Sequence, residues 1–258
     1  MDRRDFLKKT TLMATGTAIV NPVSAMVEKT RAEGLLENET QTSQPSEKQN
    51  GIKVLMINGS PRPDGNTFCC LKEIEGQLEK LGIASEIVQI GNKPVRMCVN
   101  CGGCRRNNNG GCVFNDDRYT LIAEKMAEAD ALIVGTPVYY GQPNGGILSL
   151  MQRLFYSAGH LVQNKPAAAL AVCRRGGATA TLQTMNMMFE MMNMPVVTSQ
   201  YWNIAYGAGK GEVKRDAEGM QTMRTLATNM AFLLKKIHAN GNNAPKREEK
   251  AVFTNFIR

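Results

Sequence analysis

Short apolar runs alternate with amphipathic segments along most of the chain. The runs at 52–57 and 131–134 are rich in branched residues. Continuous apolar runs of this length predict strands that are buried on both faces, as in a parallel sheet covered by helices. Further strands are predicted at 84–90, 166–173 and 195–199, and helices at 68–81, 121–129, 146–156, 180–192 and 219–238. The alternation predicts a doubly wound α/β fold with five parallel strands and helices on both faces.

Two of the predicted helices have distinctive faces. The last one is amphipathic, and its predicted inner face consists of Met223, Leu226, Met230, Leu233 and Ile237. The methionine-rich stretch at 185–194 has continuous helical spacing, which favours a core or subunit-interface helix over a metal site.

In a doubly wound sheet, ligands bind at the carboxyl ends of the strands, where the strand order reverses. The loops predicted at such ends are 58–67, 136–141 and 173–178, and all three are rich in glycine, proline or polar residues. The fold prediction therefore brings these loops to one cleft.

The first of these loops has the composition of an anion site. Four glycine and proline residues between 59 and 65 end the strand, and Asn66 or Thr67 is placed to cap the next helix. The N-terminus of a helix attracts phosphate through its free N–H groups and its dipole. Ser60 and Arg62 add a hydroxyl and a positive charge. The loop contains neither a P-loop nor a G-x-G-x-x-G motif, so it predicts a phosphate site of another kind.

These residues carry a resemblance. Gly59-Ser60-Pro61-Arg62, followed by Gly65-Asn66-Thr67, resembles the FMN-phosphate loop of the NADPH-dependent FMN reductases and the related iron–sulfur flavoproteins. The stretches 136–141 and 174–178 are similar to the second and third flavin loops of that family, and the resemblance spans 51–240. It implies a flavodoxin-like fold that binds FMN. The implied phosphate ligands are Ser60, Arg62, Asn66 and Thr67; Pro137, Val138, Tyr139 and Tyr140 would bound the ring, with Gly176 and Gly177 on its edge.

Four of the seven cysteines lie close together in a loop at 96–117. Their spacing, Cys98-x2-Cys101-x2-Cys104-x7-Cys112, allows one loop to wrap a compact metal centre. The motif resembles the cluster motif of iron–sulfur flavoproteins and so implies a 4Fe–4S cluster near FMN. It departs from the ferredoxin pattern, because the third gap is longer and no proline follows the fourth cysteine. A structural zinc ion, or free thiols and disulfides, are the alternatives.

The ends of the chain predict other properties. Residues 1–25 combine a charged start, an apolar middle and a small-x-small end, which predicts an export signal. Arg3-Arg4-x-Phe6-Leu7-Lys8 resembles the twin-arginine signal, which implies a periplasmic location and cleavage near Ala25. Residues 26–50 are polar and predict a flexible linker before a domain at 51–240, and a C-terminal tail occupies 241–258.

The composition of the chain argues against several classes of function. The 258 residues are 43% hydrophobic and 21% charged, with a net charge of +8. The positive charge is scattered, which argues against nucleic-acid binding. The apolar part of the signal is shorter than a membrane span. His160 and His238 are the only histidines, so a histidine metal site or a catalytic triad is not expected.

The resemblance implies an exported oxidoreductase that passes electrons from a reduced donor through FMN and a 4Fe–4S cluster to an acceptor. NAD(P)H is the donor that the family name implies, but nicotinamide is not normally present in the periplasm, so a quinol or a redox partner protein is an alternative donor. No general acid or base stands out. The family tends to form dimers or tetramers. The alternatives are a non-enzymatic electron carrier and a cofactor-free module held by disulfides or zinc.

Overall fold

The computed structural model describes residues 51–107, 111–115, 117–241, 244–245, 248–250, 252 and 254. The predicted signal peptide at 1–25, the predicted linker at 26–50 and part of the tail at 241–258 lie outside the described residues. No helix in the described part is long and apolar enough to cross a membrane.

Strands and helices alternate as predicted. The strands are β1 (Lys53–Asn58), β2 (Ala84–Gln89), β3 (Ala131–Tyr139), β4 (Gln142–Pro143), β5 (Ala167–Cys173) and β6 (Ile204–Tyr206). The helices are α1 (Asn66–Lys80), α2 (Gly103–Arg106), α3 (Tyr119–Glu128), α4 (Gly145–Ala158), α5 (Ala178–Met191) and α6 (Ala217–Ala239). Two short 3₁₀ helices span Gly159–Leu161 and Glu212–Arg215.

Five parallel strands form the main sheet in the order β2-β1-β3-β5-β6, and β4 pairs antiparallel with β3. The order reverses between β1 and β3, which is the switch point of a doubly wound sheet. The predicted α/β fold with a parallel sheet is therefore confirmed.

Alternate residues of β1 face opposite helix layers. Leu55 and Ile57 belong to the core beneath α3, α4 and α5, whereas Val54 and Met56 belong to the core beneath α1 and α6. All four side chains are fully buried. Each such side chain contributes about 1.5–3 kcal/mol relative to an exposed one, so β1 stabilises both layers.

The predicted fifth strand was wrong. The stretch 195–199 makes only an isolated bridge, between Ala167 and Val196, and the edge strand is β6. Between the two, the side chain of Asn203 donates from Nδ2 to the carbonyl oxygen of Ala169 at 3.1 Å. A buried side-chain amide thus replaces a ladder hydrogen bond, and Tyr201–Asn203 comes before the last strand instead of after it.

The inner face of α6 also differs from the prediction at its C-terminal end. Leu234 is buried and Leu233 is only partly buried. Three turns of about 3.6 residues lead from Met223 to Leu234. The face at 223, 226 and 230 is confirmed. Leu233 lies at its margin, where it packs partly buried against the same core, and Ile237 is also partly buried. Leu234, which was not predicted, is the fully buried residue of this turn.

These two neighbouring leucines provide a test of packing. We expect Leu234→Ala to lower the free energy of unfolding by about 2–5 kcal/mol, because it leaves a cavity in the core. Leu233→Ala, with the same change of volume one residue away, should cost about 1 kcal/mol or less. Denaturant unfolding of both variants measures the difference, and equal losses would contradict the assigned face.

Candidate functional site

The loops after β1, β3 and β5 lie side by side, because these strands are neighbours in the sheet. The first contact between them is at Gly59, whose N–H donates to the carbonyl oxygen of Gly135 at 2.7 Å. A Cβ atom at Gly59 would lie 2.7 Å from the Cβ of Ile147 and 2.8 Å from that same oxygen. Only glycine fits there, so the β1 loop packs directly on β3 and α4.

Ser60 is a buried polar residue of the β1 loop and makes three hydrogen bonds. Its N–H donates to Oδ1 of Asn58 at 3.1 Å, and its carbonyl oxygen accepts from Nε2 of Gln89 at 2.5 Å. Its hydroxyl accepts from the N–H of Arg62 at 3.1 Å. The side chain of Arg62 is exposed. The hydroxyl is therefore held in place, whereas the guanidinium is accessible to a ligand.

Helix α1 begins at Asn66, and its N-cap residue is Gly65. The predicted cap by Asn66 or Thr67 was wrong, because both residues already have helical positions and no side chain caps the helix. The first N–H groups of a helix have no partner within it, and the first turn of α1 contains no acidic residue. This helix end can accept an anion.

The side chains of Asn66 and Thr67 make other contacts. Nδ2 of Asn66 donates to the carbonyl oxygen of Gly209 at 2.9 Å, and Oδ1 accepts from the N–H of Val213 at 3.4 Å. Thr67 is buried, with its methyl group beside Gly135. These side chains join the loop to its neighbours, so the groups of the two residues that remain for an anion are their backbone N–H groups.

The second predicted loop is a hairpin. The stretch 135–141 was predicted as a loop, but β3 continues to Tyr139 and pairs with β4. Tyr140 and Gly141 form its two-residue turn, with φ of 51° and 77°. Two positive φ angles are typical of the turn that matches the twist of paired strands. Tyr140 is fully exposed at the tip, and Tyr139 is partly exposed.

The third loop contacts this hairpin through Gly177. Its φ is 87°, and a Cβ atom there would lie 2.7 Å from Cα of Gly141 and 3.1 Å from Cγ1 of Val138. A Cβ atom at Gly176 would have no atom within 4 Å. The predicted ring-binding residues, which are Pro137, Val138, Tyr139, Tyr140, Gly176 and Gly177, therefore lie on one edge of the sheet.

A separate pocket is lined by Cys98, Cys101, Cys104 and Cys112 together with Tyr156 and Ser157 of α4. All four are free thiols. The predicted loop at 96–117 contains one short helix, α2, and the N–H of Gly103 donates to Sγ of Cys101 at 3.4 Å. Among the described residues, no three His, Cys, Asp or Glu side chains are close enough to hold a metal ion.

Helix α3 and helix α4 anchor this cysteine segment. The N–H of Cys112 donates to Oη of Tyr119 at 2.9 Å, and Oη lies 2.6 Å from Oγ of Ser157. Burial raises the pKa of Tyr119, so its hydroxyl stays protonated. Arg153 of α4, only 1% exposed, forms an ion pair with Asp117 at 2.5 Å.

Comparison with known proteins adds to this geometry. The profile of the family described as NADPH-dependent FMN reductase matches residues 52–209, more than half of the chain. The chain belongs to this family. Membership supports a flavin-dependent oxidoreductase with FMN as its cofactor, and the matched residues include all three loops at the carboxyl edge.

Two relatives with similar sequences are named as iron–sulfur flavoproteins. One from Methanocaldococcus jannaschii is 34% identical over 194 residues, covering 72% of this chain and 99% of the relative. One from Methanosarcina thermophila is 33% identical over 198 residues, covering 73% and 98%. The structure of RosB with bound 8-demethyl-8-formylriboflavin-5'-phosphate superposes with a TM-score of 0.56 at 19% identity, covering 80% of this chain and 92% of RosB. That likeness shows the fold.

The β1 loop of this family member fits the phosphate of FMN. The open N-terminus of α1 and the fixed hydroxyl of Ser60 are suited to a dianion. Buried polar atoms at the same edge lack hydrogen-bond partners in the described part of the chain: Nδ2 of Asn58, Oε1 of Gln89 and Oγ1 of Thr181. Buried polar groups are normally paired, so these atoms are candidates for contacts with a ligand.

Sequence reasoning missed several of these residues. Asn58 and Gln89 are polar residues that end buried strands, and this position was a usable signal. Arg153 lies between Leu150, Met151 and Leu154 on the buried side of α4, and a charge on an apolar face was the available signal. Asp117 gave no signal of its own, because it falls among polar loop residues.

The two adjacent glycines of the third loop provide a matched test. We expect Gly177→Ala to lower the free energy of unfolding by about 1–3 kcal/mol, because an alanine there would have a strained positive φ and meet the hairpin. Gly176→Ala should change it by less than about 0.5 kcal/mol. Thermal or denaturant unfolding measures both, and a tolerated Gly177→Ala would contradict the contact between loop and hairpin.

Proposed function

We propose that this protein is an exported FMN-dependent oxidoreductase that passes electrons from a reduced donor through FMN and a 4Fe–4S cluster to an acceptor. The observation that carries the proposal is the pocket lined by all four clustered cysteines, Cys98, Cys101, Cys104 and Cys112. It lies on the same helix that contacts the phosphate loop. Two relatives whose names are iron–sulfur flavoprotein support the combination of a flavin with an iron–sulfur cluster.

Helix α4 connects the two proposed centres. Ile147 in its first turn contacts Gly59 of the phosphate loop, and Arg153 further along lines the cysteine pocket. Six residues of helix correspond to roughly 9 Å at 1.5 Å per residue. The β1 loop and the cysteine pocket thus border the same helix, at points that lie roughly 9 Å apart along its axis. This proximity supports electron transfer between the two proposed centres.

At the proposed flavin site, the residues of the chain would bind and orient FMN. Ser60, Arg62 and the N–H groups of Asn66 and Thr67 would hold the phosphate. The hairpin residues 137–140 would bound the ring, and Gly176 and Gly177 would let the backbone approach its edge. FMN supplies the hydride and single-electron chemistry when bound.

On the metal side, the donor set fits an iron–sulfur cluster. Cysteine thiolates are the usual ligands of such clusters, and four of them line one pocket. The free thiols would have to draw closer together around a cluster. A zinc ion would use the same ligands, so the metal must be determined by analysis.

Export is proposed from residues 1–25, where the twin-arginine pattern suits a protein that folds around its cofactors before transport. The family name suggests NAD(P)H as the electron donor. Because nicotinamide is not normally present in the periplasm, a quinol or a redox protein is the alternative donor there. A purified chain that turns over steadily with none of these donors would favour the electron carrier over the enzyme.

The phosphate site is tested by comparing two flavins. We expect Ser60→Ala and Arg62→Gln each to weaken FMN binding roughly tenfold to a hundredfold, since each removes a charge-assisted contact of about 1.5–3 kcal/mol. Riboflavin lacks the phosphate and serves as the control ligand, so its affinity should not change. Fluorescence titration of the apoprotein gives both constants, and an equal loss for the two flavins would contradict the assignment.

The cluster is tested by anaerobic purification of the full chain with analysis of iron, sulfide and FMN. We expect about four irons per chain. Cys101→Ser and Cys104→Ser should lose the iron and keep FMN, while Cys69→Ser, outside the pocket, should keep both. Flavin with zinc, or with no metal, would overturn the cluster.

Export is tested by fractionation of the same cells. We expect a shortened chain in the periplasm, because the signal would be removed near Ala25. A full-length cytoplasmic chain would contradict export.

A further inference from the structure

Arg153 is a buried charge beside the cysteine pocket. Its side chain is 1% exposed, and the residue lines the pocket together with the four cysteines. A buried charge is costly unless it is paired and hydrogen-bonded. The hydrogen-bond partners of this guanidinium therefore indicate its role.

Its two terminal nitrogens bind both ends of the cysteine segment. Nη1 lies 2.5 Å from Oδ2 of Asp117 and 2.9 Å from the carbonyl oxygen of Arg96, to which it donates. Nη2 donates to the carbonyl oxygen of Phe114 at 2.8 Å and to Oδ1 of Asp117 at 3.3 Å. The guanidinium also stacks 5.0 Å from the centre of the Tyr119 ring. These contacts hold Arg96, Phe114 and Asp117, at the two ends of the segment, against α4.

The third guanidinium nitrogen, Nε, makes no such hydrogen bond to the segment. Nε of Arg153 is buried and has no hydrogen-bond partner among the described residues. An unsatisfied buried donor costs about 1–3 kcal/mol, so an arginine that served only to hold the segment would be expensive. Burial alone would lower the pKa of Arg153, but Asp117 and then Cys112 raise it above its usual value. Arg153 and Cys112 also line the same pocket, which brings the guanidinium to the side of the cysteine thiols.

We propose that Arg153 is a positioning residue of the cysteine pocket, which donates its Nε–H to the sulfur of Cys112 when the pocket holds the 4Fe–4S cluster and raises the reduction potential of that cluster. This inference rests on the proposed function. Reduction adds one negative charge to a cluster, and a nearby positive charge or a hydrogen bond to a ligand sulfur stabilises the reduced form. The carboxylate of Asp117 acts in the opposite direction and partly offsets the charge.

The two charges give predictions of opposite sign. Arg153→Met removes the positive charge and should shift the reduction potential of the cluster to a lower value. Asp117→Asn leaves the guanidinium without its counter-charge and should shift the potential to a higher value. If the ion pair only held the segment in place, both substitutions would loosen the same segment. They would then shift the reduction potential in the same direction. Arg153→Lys keeps the charge without Nε and should fall between Arg153→Met and the wild type.

Arg105→Met is the matched control. Arg105 belongs to the same segment and lies 5.2 Å from the centre of the Tyr156 ring, but it is exposed. Its charge is screened by solvent and salt, so its removal should shift the potential much less than Arg153→Met does.

The experiment is a redox titration of the anaerobically purified full chain, followed by electron paramagnetic resonance of the reduced cluster, with iron content measured for each variant. A lower potential for Arg153→Met and a higher one for Asp117→Asn supports the inference. Shifts in the same direction, or no shift in cluster-loaded variants, overturns the inference and leaves the proposed function intact. If Arg153→Met fails to load iron, the sign found for Asp117→Asn decides the question. A wild-type chain without iron overturns the proposed cluster and this inference with it.

Discussion

The contact between Gly59 and its neighbours is the constraint on which the arrangement of the site depends. Gly59 lies against the backbone of β3 and against Ile147 of α4, with no room for a side chain. Because β1 is buried on both faces, its end cannot move away from this contact. The β1 loop, the hairpin after β3 and the start of α4 are therefore fixed relative to one another. Because α4 also lines the cysteine pocket, the same contact relates that pocket to the β1 loop.

The cysteine segment depends on a different interaction. The described residues of this segment, 96–107, 111–115 and 117, contain little regular structure apart from α2, so backbone pairing contributes little to their conformation. The ion pair between Arg153 and Asp117 and the hydroxyl of Tyr119 replace it, since each joins the segment to a helix. Breaking one partner of a buried ion pair costs about 3–5 kcal/mol, so the loss of either Arg153 or Asp117 would loosen the attachment of the segment to α4.

The fold followed from the sequence where a single physical signal was strong. Apolar runs such as 52–57 and 131–134 are too continuous for anything but buried strands, and their alternation with helices determined the architecture. The prediction failed at β6, because a three-residue strand is too short for a pattern, and the side chain of Asn203 replaces a ladder bond that sequence alone does not reveal. The hairpin at Tyr140 and Gly141 was missed because a tyrosine with positive φ is uncommon.

The candidate site was predictable to a similar degree. The resemblance located the loops and the cysteines, and the structure brings the three loops to one edge and the four thiols to one pocket. The roles of individual side chains were less accessible. Asn66 looked like a ligand or a cap, yet its amide is bonded to Gly209 and Val213. Such long-range contacts depend on the packing of α1 against the segment that follows β6, which no local pattern records.

We propose that electrons pass between a flavin and a cluster within one chain. The most direct test is photoreduction of the flavin in the anaerobic, cluster-loaded protein, with samples frozen over time for electron paramagnetic resonance and read in parallel by visible absorption. We expect the signal of the reduced cluster to grow as electrons leave the flavin, at a rate independent of protein concentration. A flavin that stays reduced beside an oxidised cluster of higher potential, or a transfer rate that rises with protein concentration, would contradict it.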